Sequence, residues 1–578
     1  MNHHRFDRFG KFFLGAALLF HPLTAQAEAP AAAPPLPDPK LPIAMNLAGI
    51  TDYNPGFPFK NLMWGARPWL TKNADGTGAF NTDFAAKIPL TPQGYPLELP
   101  FVPEGASQPQ TVFTIIPNTT EPGEYVLLYD GQGVIEAAMG TTVTLSESGR
   151  LILTLKNLPT DGAYEGIAIK QSTKGNPVRN IRILRKEDEK ADLKANPFRE
   201  DFLKYSKQWH ALRFMDWMST NNSLDKEWAD RKKPDFYTMV GTGGDATGRW
   251  GSAPSAFNRL FSGGVPLELM IQLANITKTS PWFNIPHRAT PEYMTEFAKM
   301  VKAKLDPSLK VYFEYSNEVW NWQFHQATWM IQSKVAAEGL EATTAWKDGI
   351  VPTQFPLDDG TVAKDGGSGH PERMGVLNRR LFNQLEKIYT GKDRERMVRV
   401  IGVQHGWPDT AKRTVNYVMK HGGADAVSPA GYFGPNTAIY ERWAAAGANL
   451  TAEQVIADMN EAFDKDSTTW TRAIAEIANQ HKLQYIVYEG GQHIQPKGQE
   501  VTPYMPALKA AQTHPGMYDV YLRNLALHQE VGCDLFAAFS SISKQGGRYG
   551  SWGHSESYSQ PLSEAPKLRA LVKANTPK

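Results

Sequence analysis

The chain has 578 residues, 41% of them hydrophobic, with 61 basic and 59 acidic side chains for a formal net charge of +2. That length exceeds what one hydrophobic core sustains and predicts two domains of ordinary globular composition. The balanced charge, with no long run of either sign, argues against a nucleic-acid or anionic-membrane partner and for a neutral substrate.

Residues 1–27 have the form of a secretory signal: basic Arg5, Arg8 and Lys11, an apolar stretch over 12–20, and Ala25-Gln26-Ala27 as a small-residue cleavage site. The apolar stretch is far shorter than the ~20 residues of a spanning helix, and His21-Pro22 ends it. Export with cleavage, to the periplasm or beyond, is therefore expected, without membrane insertion. Residues 28–42 carry Pro30, Pro34, Pro35, Pro37, Pro39 and Pro42 and read as an extended spacer.

Eight short apolar runs follow, at 43–48, 210–215, 267–274, 310–315, 398–403, 426–430, 485–488 and 534–539, most of them trailed by helical periodicity. Thr290-Pro291 marks a helix start, Asp409 reads as the cap of another, and Thr451 with Gln454 makes a capping-box pattern. Eight strand–helix units predict an α/β fold, a (β/α)₈ TIM barrel, with 43–72 as its first strand and loop and 191–578 as the remainder. The interval 73–190 breaks the alternation. It holds apolar runs at 111–116, 125–129, 142–145, 151–155, 167–170 and 180–184, with Asp130-Gly131, Ser148-Gly149 and Asp161-Gly162 as turns, and reads as an inserted all-β, sandwich-like domain. The segment 341–371, rich in Gly, Asp and Thr, reads as a long loop after the fourth strand. The single cysteine, Cys533, leaves no intramolecular disulfide and no cysteine-based zinc site, and its apolar neighbours predict a buried thiol.

Two of the strands end in glutamate. The fourth runs into Asn317-Glu318 and the seventh into Glu489-Gly490-Gly491, which places both carboxylates at the C-terminal rim where barrel enzymes build their sites. A pair of carboxyls about 5–5.5 Å apart is what retaining glycoside hydrolysis requires, one protonating the leaving oxygen and the other attacking the anomeric carbon. Arg213, on the second strand, and Tyr432, just past the sixth, are placed to hold Glu489 ionised, and the Asn317 amide can bind a sugar hydroxyl.

Tyr315-Ser316-Asn317-Glu318-Val319-Trp320-Asn321 together with Tyr488-Glu489-Gly490-Gly491 resembles the clan-A glycoside hydrolases, retaining barrel enzymes. That resemblance implies Glu318 as acid/base and Glu489 as nucleophile. More closely, the chain is similar to secreted bacterial proteins labelled cellulose-binding, through Asn46-Leu47-Ala48-Gly49-Ile50, Ala66-Arg67-Pro68-Trp69, Trp282-Phe283-Asn284-Ile285-Pro286-His287 and Tyr549-Gly550-Ser551-Trp552-Gly553. The clan's strand-eight tryptophan has no direct counterpart, since Phe539-Ser540-Ser541 stands there; Trp552 is the candidate substitute.

Aromatic residues gather at the expected rim: Trp64, Trp69, Trp217, Trp250, Trp282, Trp320, Trp322, Trp407 and Trp552. The candidate sugar-binding set is Asn317, Arg213, Tyr432, Trp217, Trp282, His287, Trp320, His405 and Trp552. No His-x-x-x-His or Gly-x-Ser-x-Gly pattern is present, and Gly241-Thr242-Gly243-Gly244 precedes no convincing helix, so neither metal nor other cofactor is expected. The expected activity is hydrolysis of a β-linked polysaccharide or oligosaccharide. The alternatives are a barrel that binds carbohydrate without cutting it and a transglycosylase built on the same pair.

Overall fold

In the computed structural model the described residues are 36–117, 121–156, 163–241, 260–332, 335, 369–462 and 468–578. Contacts divide the chain into Met1–Leu36 and Pro37–Lys578, and every element below lies in the second unit. The expected signal, the spacer up to residue 35, Asp161-Gly162, Thr242-Gly243-Gly244, Trp250 and nearly all of the 341–371 segment lie outside the described residues.

Eight parallel strands close on themselves: Ile43–Asn46, Ala211–Arg213, Ser280–Ile285, Val311–Tyr315, Met397–Gly402, Ala426–Ser428 continuing as Ala430–Phe433, Gln484–Gln492 and Cys533–Ala538. Each pairs with its successor, with register shifts between the seventh and eighth, and the circle is completed by the eighth against the first, with Ile43 opposite Phe536. The sixth strand is interrupted at Pro429, which has no N–H to give the ladder, though its carbonyl still accepts from Tyr488 N–H at 3.2 Å. Most of these strand residues are buried, because helices cover the sheet outside and side chains fill it inside. The barrel is thus a (β/α)₈ fold, as the alternation of apolar runs predicts.

One expected strand is a helix. The run at 267–274 belongs to the helix Leu267–Thr277, and the third strand is Ser280–Ile285. Within the helix Glu268, Gln272 and Asn275 are only half-buried among buried neighbours, a polar stripe at i, i+4 and i+7. That stripe is helical spacing, and an apolar run of eight hides it. Thr290 caps its helix by accepting from Tyr293 N–H, and Thr451 and Gln454 exchange the two capping-box bonds. Asp409 is not a cap: Trp407 is the N-cap residue and Pro408 takes the first helical position, leaving Asp409 inside the first turn.

Residues 70–185 form two four-stranded antiparallel sheets. One pairs Leu70–Asn73, Gln110–Ile115, Glu165–Ser172 and Gly133–Met139; the other pairs Thr142–Glu147, Arg150–Leu155, Gly123–Asp130 and Arg179–Arg185. Ser148-Gly149 makes a two-residue hairpin, with Glu147 opposite Arg150. Asp130-Gly131 joins strands of different sheets instead. Tyr125, Leu127, Leu151, Leu153, Ile135, Ile167 and Ile169 belong to one core that is continuous with the barrel's, whereas Val126, Ile152 and Leu184 form a small separate cluster with Leu193 packed on it. That alternation is what a sheet with one face on a core gives. Cys533 is buried, and burial pushes its thiol up, away from reactivity.

Candidate active site

Arg213 organises the C-terminal mouth of the barrel. It is fully buried, and all five of its N–H groups are used. Nε and Nη2 donate to the two oxygens of Glu314, each at 3.0 Å; Nη1 donates to Glu489 Oε1 at 2.8 Å and to Asn46 Oδ1 at 3.0 Å; Nη2 also reaches Asn317 Oδ1 at 2.8 Å. The inward residues of adjacent strands supply these partners, since Asn46 is opposite Arg213 and Arg213 is opposite Trp282 in the ladder. Trp282 then donates its indole N–H to Glu314 at 2.9 Å.

Glu489 is buried near the end of the seventh strand. Its second oxygen accepts from Tyr432 OH at 2.9 Å. Tight packing fixes this stretch: a Cβ on Gly490 would stand 2.3 Å from the Phe536 ring and one on Gly431 would stand 2.8 Å from the same ring. Glu318 lies just past the fourth strand, in a turn where both Ser316 and Glu318 have positive φ, +55° and +41°. Such backbone is costly for residues with a Cβ, by ~1–3 kcal/mol each, and clusters at functional sites. Glu318 Oε1 accepts from Tyr488 OH at 2.8 Å and Oε2 from Asn321 Nδ2 at 2.9 Å. Tyr488 therefore holds one carboxylate while its chain neighbour is the other.

The charges do not balance. One guanidinium serves Glu314 and Glu489, with Asp216 in its field, while the charge of Glu318 also bears on Glu489. Burial raises Glu314 above the ordinary carboxylate range against the pull of Arg213. Burial likewise pushes Glu489 up to about 8; Arg213 and Tyr432 pull it down, while the charges of Glu318 and Asp216 push it further up. Burial also raises Asp216 to about 6, opposed by Arg213. Too little positive charge for the carboxylates in a low-dielectric pocket is what drives these groups upward.

An aromatic corner closes one side. Tyr432, His493, Phe539 and Trp552 meet edge to face, with ring centroids 5.0 Å apart for His493 and Trp552, 5.8 Å for Tyr432 and Trp552, and 5.7 Å for Phe539 and Trp552. Trp552 thus returns from the loop after the eighth strand to sit beside Phe539.

The structure brings together Glu318, Glu489, Arg213, Asn317, Tyr432 and Trp552. It places the other candidates elsewhere or in another capacity. Trp217 is 1% exposed, stacked against Phe202 and Phe198 with its indole N–H on the Ala48 carbonyl, so it is core and no sugar platform. Trp282 is buried beneath Glu314 and holds that carboxylate. Trp320 is buried edge-on to Tyr488 at 6.1 Å. His287 is buried with its ring against Trp329, neutral through burial, and neither ring nitrogen has a hydrogen-bond partner. His405 meets Thr471 Oγ1 at 3.0 Å and the edge of Trp470, and burial lowers it to about 4. Trp69, expected at the rim, is stacked on Tyr237 at 4.7 Å within the core. Asn46 and Tyr488 enter the sequence reading only within the resemblance motifs, and neither Glu314 nor His493 is given a site role there. Glu314 carried a usable signal: a carboxylate in the middle of a wholly buried strand requires a buried cation.

Among the described residues no three or more His, Cys, Asp or Glu side chains are grouped to hold a metal ion, and no helix is long and apolar enough to cross a membrane.

No protein-family model matches the chain, and no curated protein does. Among solved structures it is similar to a GH51 arabinofuranosidase from Xanthomonas axonopodis pv. citri, at 12% identity over 61% of this chain and 62% of that one, with a TM-score of 0.33. A GH5-4 broad specificity endoglucanase from an uncultured bacterium matches at 12% identity over 58% and 75% of the two chains, with a TM-score of 0.29. A glycoside hydrolase family 5 mannosidase from Rhizomucor miehei matches at 9% over 66% and 89%, also with a TM-score of 0.29. The chain therefore spans less than two thirds of the arabinofuranosidase. At such TM-scores these likenesses settle neither fold nor activity; the barrel rests on its own strand pairing.

Proposed function

We propose that the protein is an exported retaining glycoside hydrolase that cleaves a β-linked neutral polysaccharide or oligosaccharide without a cofactor. The observation that supports this reading best is the unequal holding of two glutamates at one barrel mouth, Glu489 by Arg213 and Tyr432 and Glu318 by Tyr488 and Asn321. In the first step a Glu489 oxygen attacks the anomeric carbon as the bond to the leaving oxygen breaks, and that oxygen takes the bond's electron pair and a proton from Glu318. In the second step a water gives its proton to Glu318 while its oxygen attacks the same carbon, which releases Glu489 as carboxylate and restores the starting state. Asn317 stands to bind a hydroxyl of the attacked sugar, and Trp552 to pack against its apolar face.

The rival reading, a barrel that binds sugar without cutting it, draws on one observation. A carboxyl pushed up to about 8 is neutral at pH 7 and a poor nucleophile. The two readings separate on a panel of soluble neutral β-glycans assayed for reducing ends and for binding, with wild type and Glu489→Gln. Hydrolysis by wild type, lost by at least about a thousandfold in the variant with binding kept, supports the enzyme. Firm binding with no cleavage at any pH from 5 to about 9 supports the rival.

A further inference from the structure

Trp407, 46% exposed, and Trp470, 37% exposed, are the two exposed tryptophans among the described residues. They are not scattered. Trp407 begins the helix that follows the fifth barrel strand, and Trp470 lies in the first turn of Thr468–His481, the helix that leads into the seventh, so both are at the same end of the barrel as the glutamates. Trp470 lies against the backbone next to Trp407: a Cβ on Gly406 would stand 3.8 Å from the Trp470 ring, and that ring is edge-on to His405 at 5.7 Å.

From Trp407 the aromatics continue inward. His370 lies 5.8 Å from Trp407 and 6.1 Å from Trp322, centroid to centroid, and Trp322 is four residues beyond Glu318. A run of aromatics therefore leads from the segment just after the acid/base candidate to open surface, ring to ring from Trp322 to Trp407 and then along the backbone at Gly406 to Trp470. Tyr432, His493, Phe539 and Trp552 lie in the other sector, over the sixth to eighth. Exposed indoles cost solvation unless a partner covers them, and flat rings in series fit the apolar faces of successive pyranoses.

Resting on the hydrolase reading above, we infer that the Trp322–His370–Trp407–Trp470 line is a binding track for the leaving-group side of a polymeric β-glycan, which makes the enzyme one that cuts within chains. The direction follows from chemistry. The general acid touches the leaving oxygen, so the departing part of the chain passes Glu318 and runs onto the rings beyond it. An enzyme that removed terminal sugars from short substrates would have no use for two indoles held open at that distance.

The test compares wild type with Trp407→Ala, Trp470→Ala and the double variant on a mixed-linkage glucan, a galactomannan, a xylan and a galactan, and on the 4-nitrophenyl β-glycosides of the same sugars. Both tryptophans are at the surface, so the variants fold. On the polymer that wild type cleaves, kcat/KM falls roughly tenfold per ring, while turnover of the aryl glycoside, whose leaving group ends short of the track, changes less than about twofold. Trp407→Tyr recovers most of the loss. Equal losses on polymer and aryl glycoside, or no loss on the polymer, overturn the track. Should wild type cleave nothing, the hydrolase reading fails separately. Polymer retardation in affinity gels then decides the track: retardation that Trp407→Ala and Trp470→Ala abolish sustains it, and retardation that ignores them, or none by any of the four polymers, overturns it.

Discussion

Glu489 lies near the end of the seventh strand and Glu318 just past the fourth, and they stand in opposite surroundings. Glu489 is buried, and both of its oxygens are taken, one by a fully buried arginine and one by a tyrosine hydroxyl. Glu318 is half-buried on strained backbone, and both of its donors, Tyr488 and Asn321, are uncharged. On the proposed reading the difference separates two roles: a cation and an oriented hydroxyl suit the group that attacks as an anion, and a partly open carboxyl with uncharged donors suits the acid/base.

The largest effect that sharpens this contrast is on stability. Arg213→Met leaves Glu314 and Glu489 buried without their cation and is expected to cost about 3–5 kcal/mol in chemical denaturation. Glu318→Gln disturbs no buried charge pair and is expected to stay within about 1 kcal/mol. Equal costs would mean that the two carboxylates are held alike and would break the comparison.

A smaller effect appears in the pH dependence of stability. Glu489 titrates near 4.5 when unperturbed and is pushed up to about 8 in the folded chain. Between those values the native state binds the proton that the unfolded chain has lost, so this carboxyl's contribution to stability is full below about pH 4.5 and drains away as the pH climbs to about 8. The slope is at most about 1.4 kcal/mol per pH unit. Glu489→Gln removes that decline, so its unfolding free energy is flatter with pH than that of wild type. A wild type and variant with parallel profiles would show that Arg213 and Tyr432 outweigh burial. If the proposed mechanism holds, the acid limb of the hydrolysis rate is expected above the ordinary carboxylate range, because Glu489 would have to lose its proton before attacking.

The barrel was largely legible in the sequence because buried parallel strands are short apolar runs bounded by polar residues and glycine. The exception, 267–274, is instructive: a helix packed on most of its faces shows the same apolar run, and only Glu268, Gln272 and Asn275 carry its true period. Glu318, Glu489, Arg213 and Tyr432 were legible as strand-end residues of the chemistry a glycosidic bond needs. Glu314 was not, because the middle of a strand reads as core and its partner is 101 residues away. Tryptophans were the least legible. Trp217, Trp407 and Trp552 all sit near strand ends in sequence, yet one is core, one is open surface and one packs on Tyr432 beside Glu489. Side-chain direction after a turn depends on tertiary packing that no local pattern encodes.

The most direct measurement of the central claim, that Glu489 forms a covalent bond to the sugar with Glu318 as its acid, is trapping with 2-deoxy-2-fluoro β-glycosyl fluorides of glucose, mannose, galactose and xylose, followed by peptide mass analysis. One glycosyl increment is expected on the peptide containing Tyr488-Glu489-Gly490, and none in Glu489→Gln. An increment on Glu318 or another residue, or hydrolysis of the natural polymer with inversion at the anomeric carbon, would contradict it.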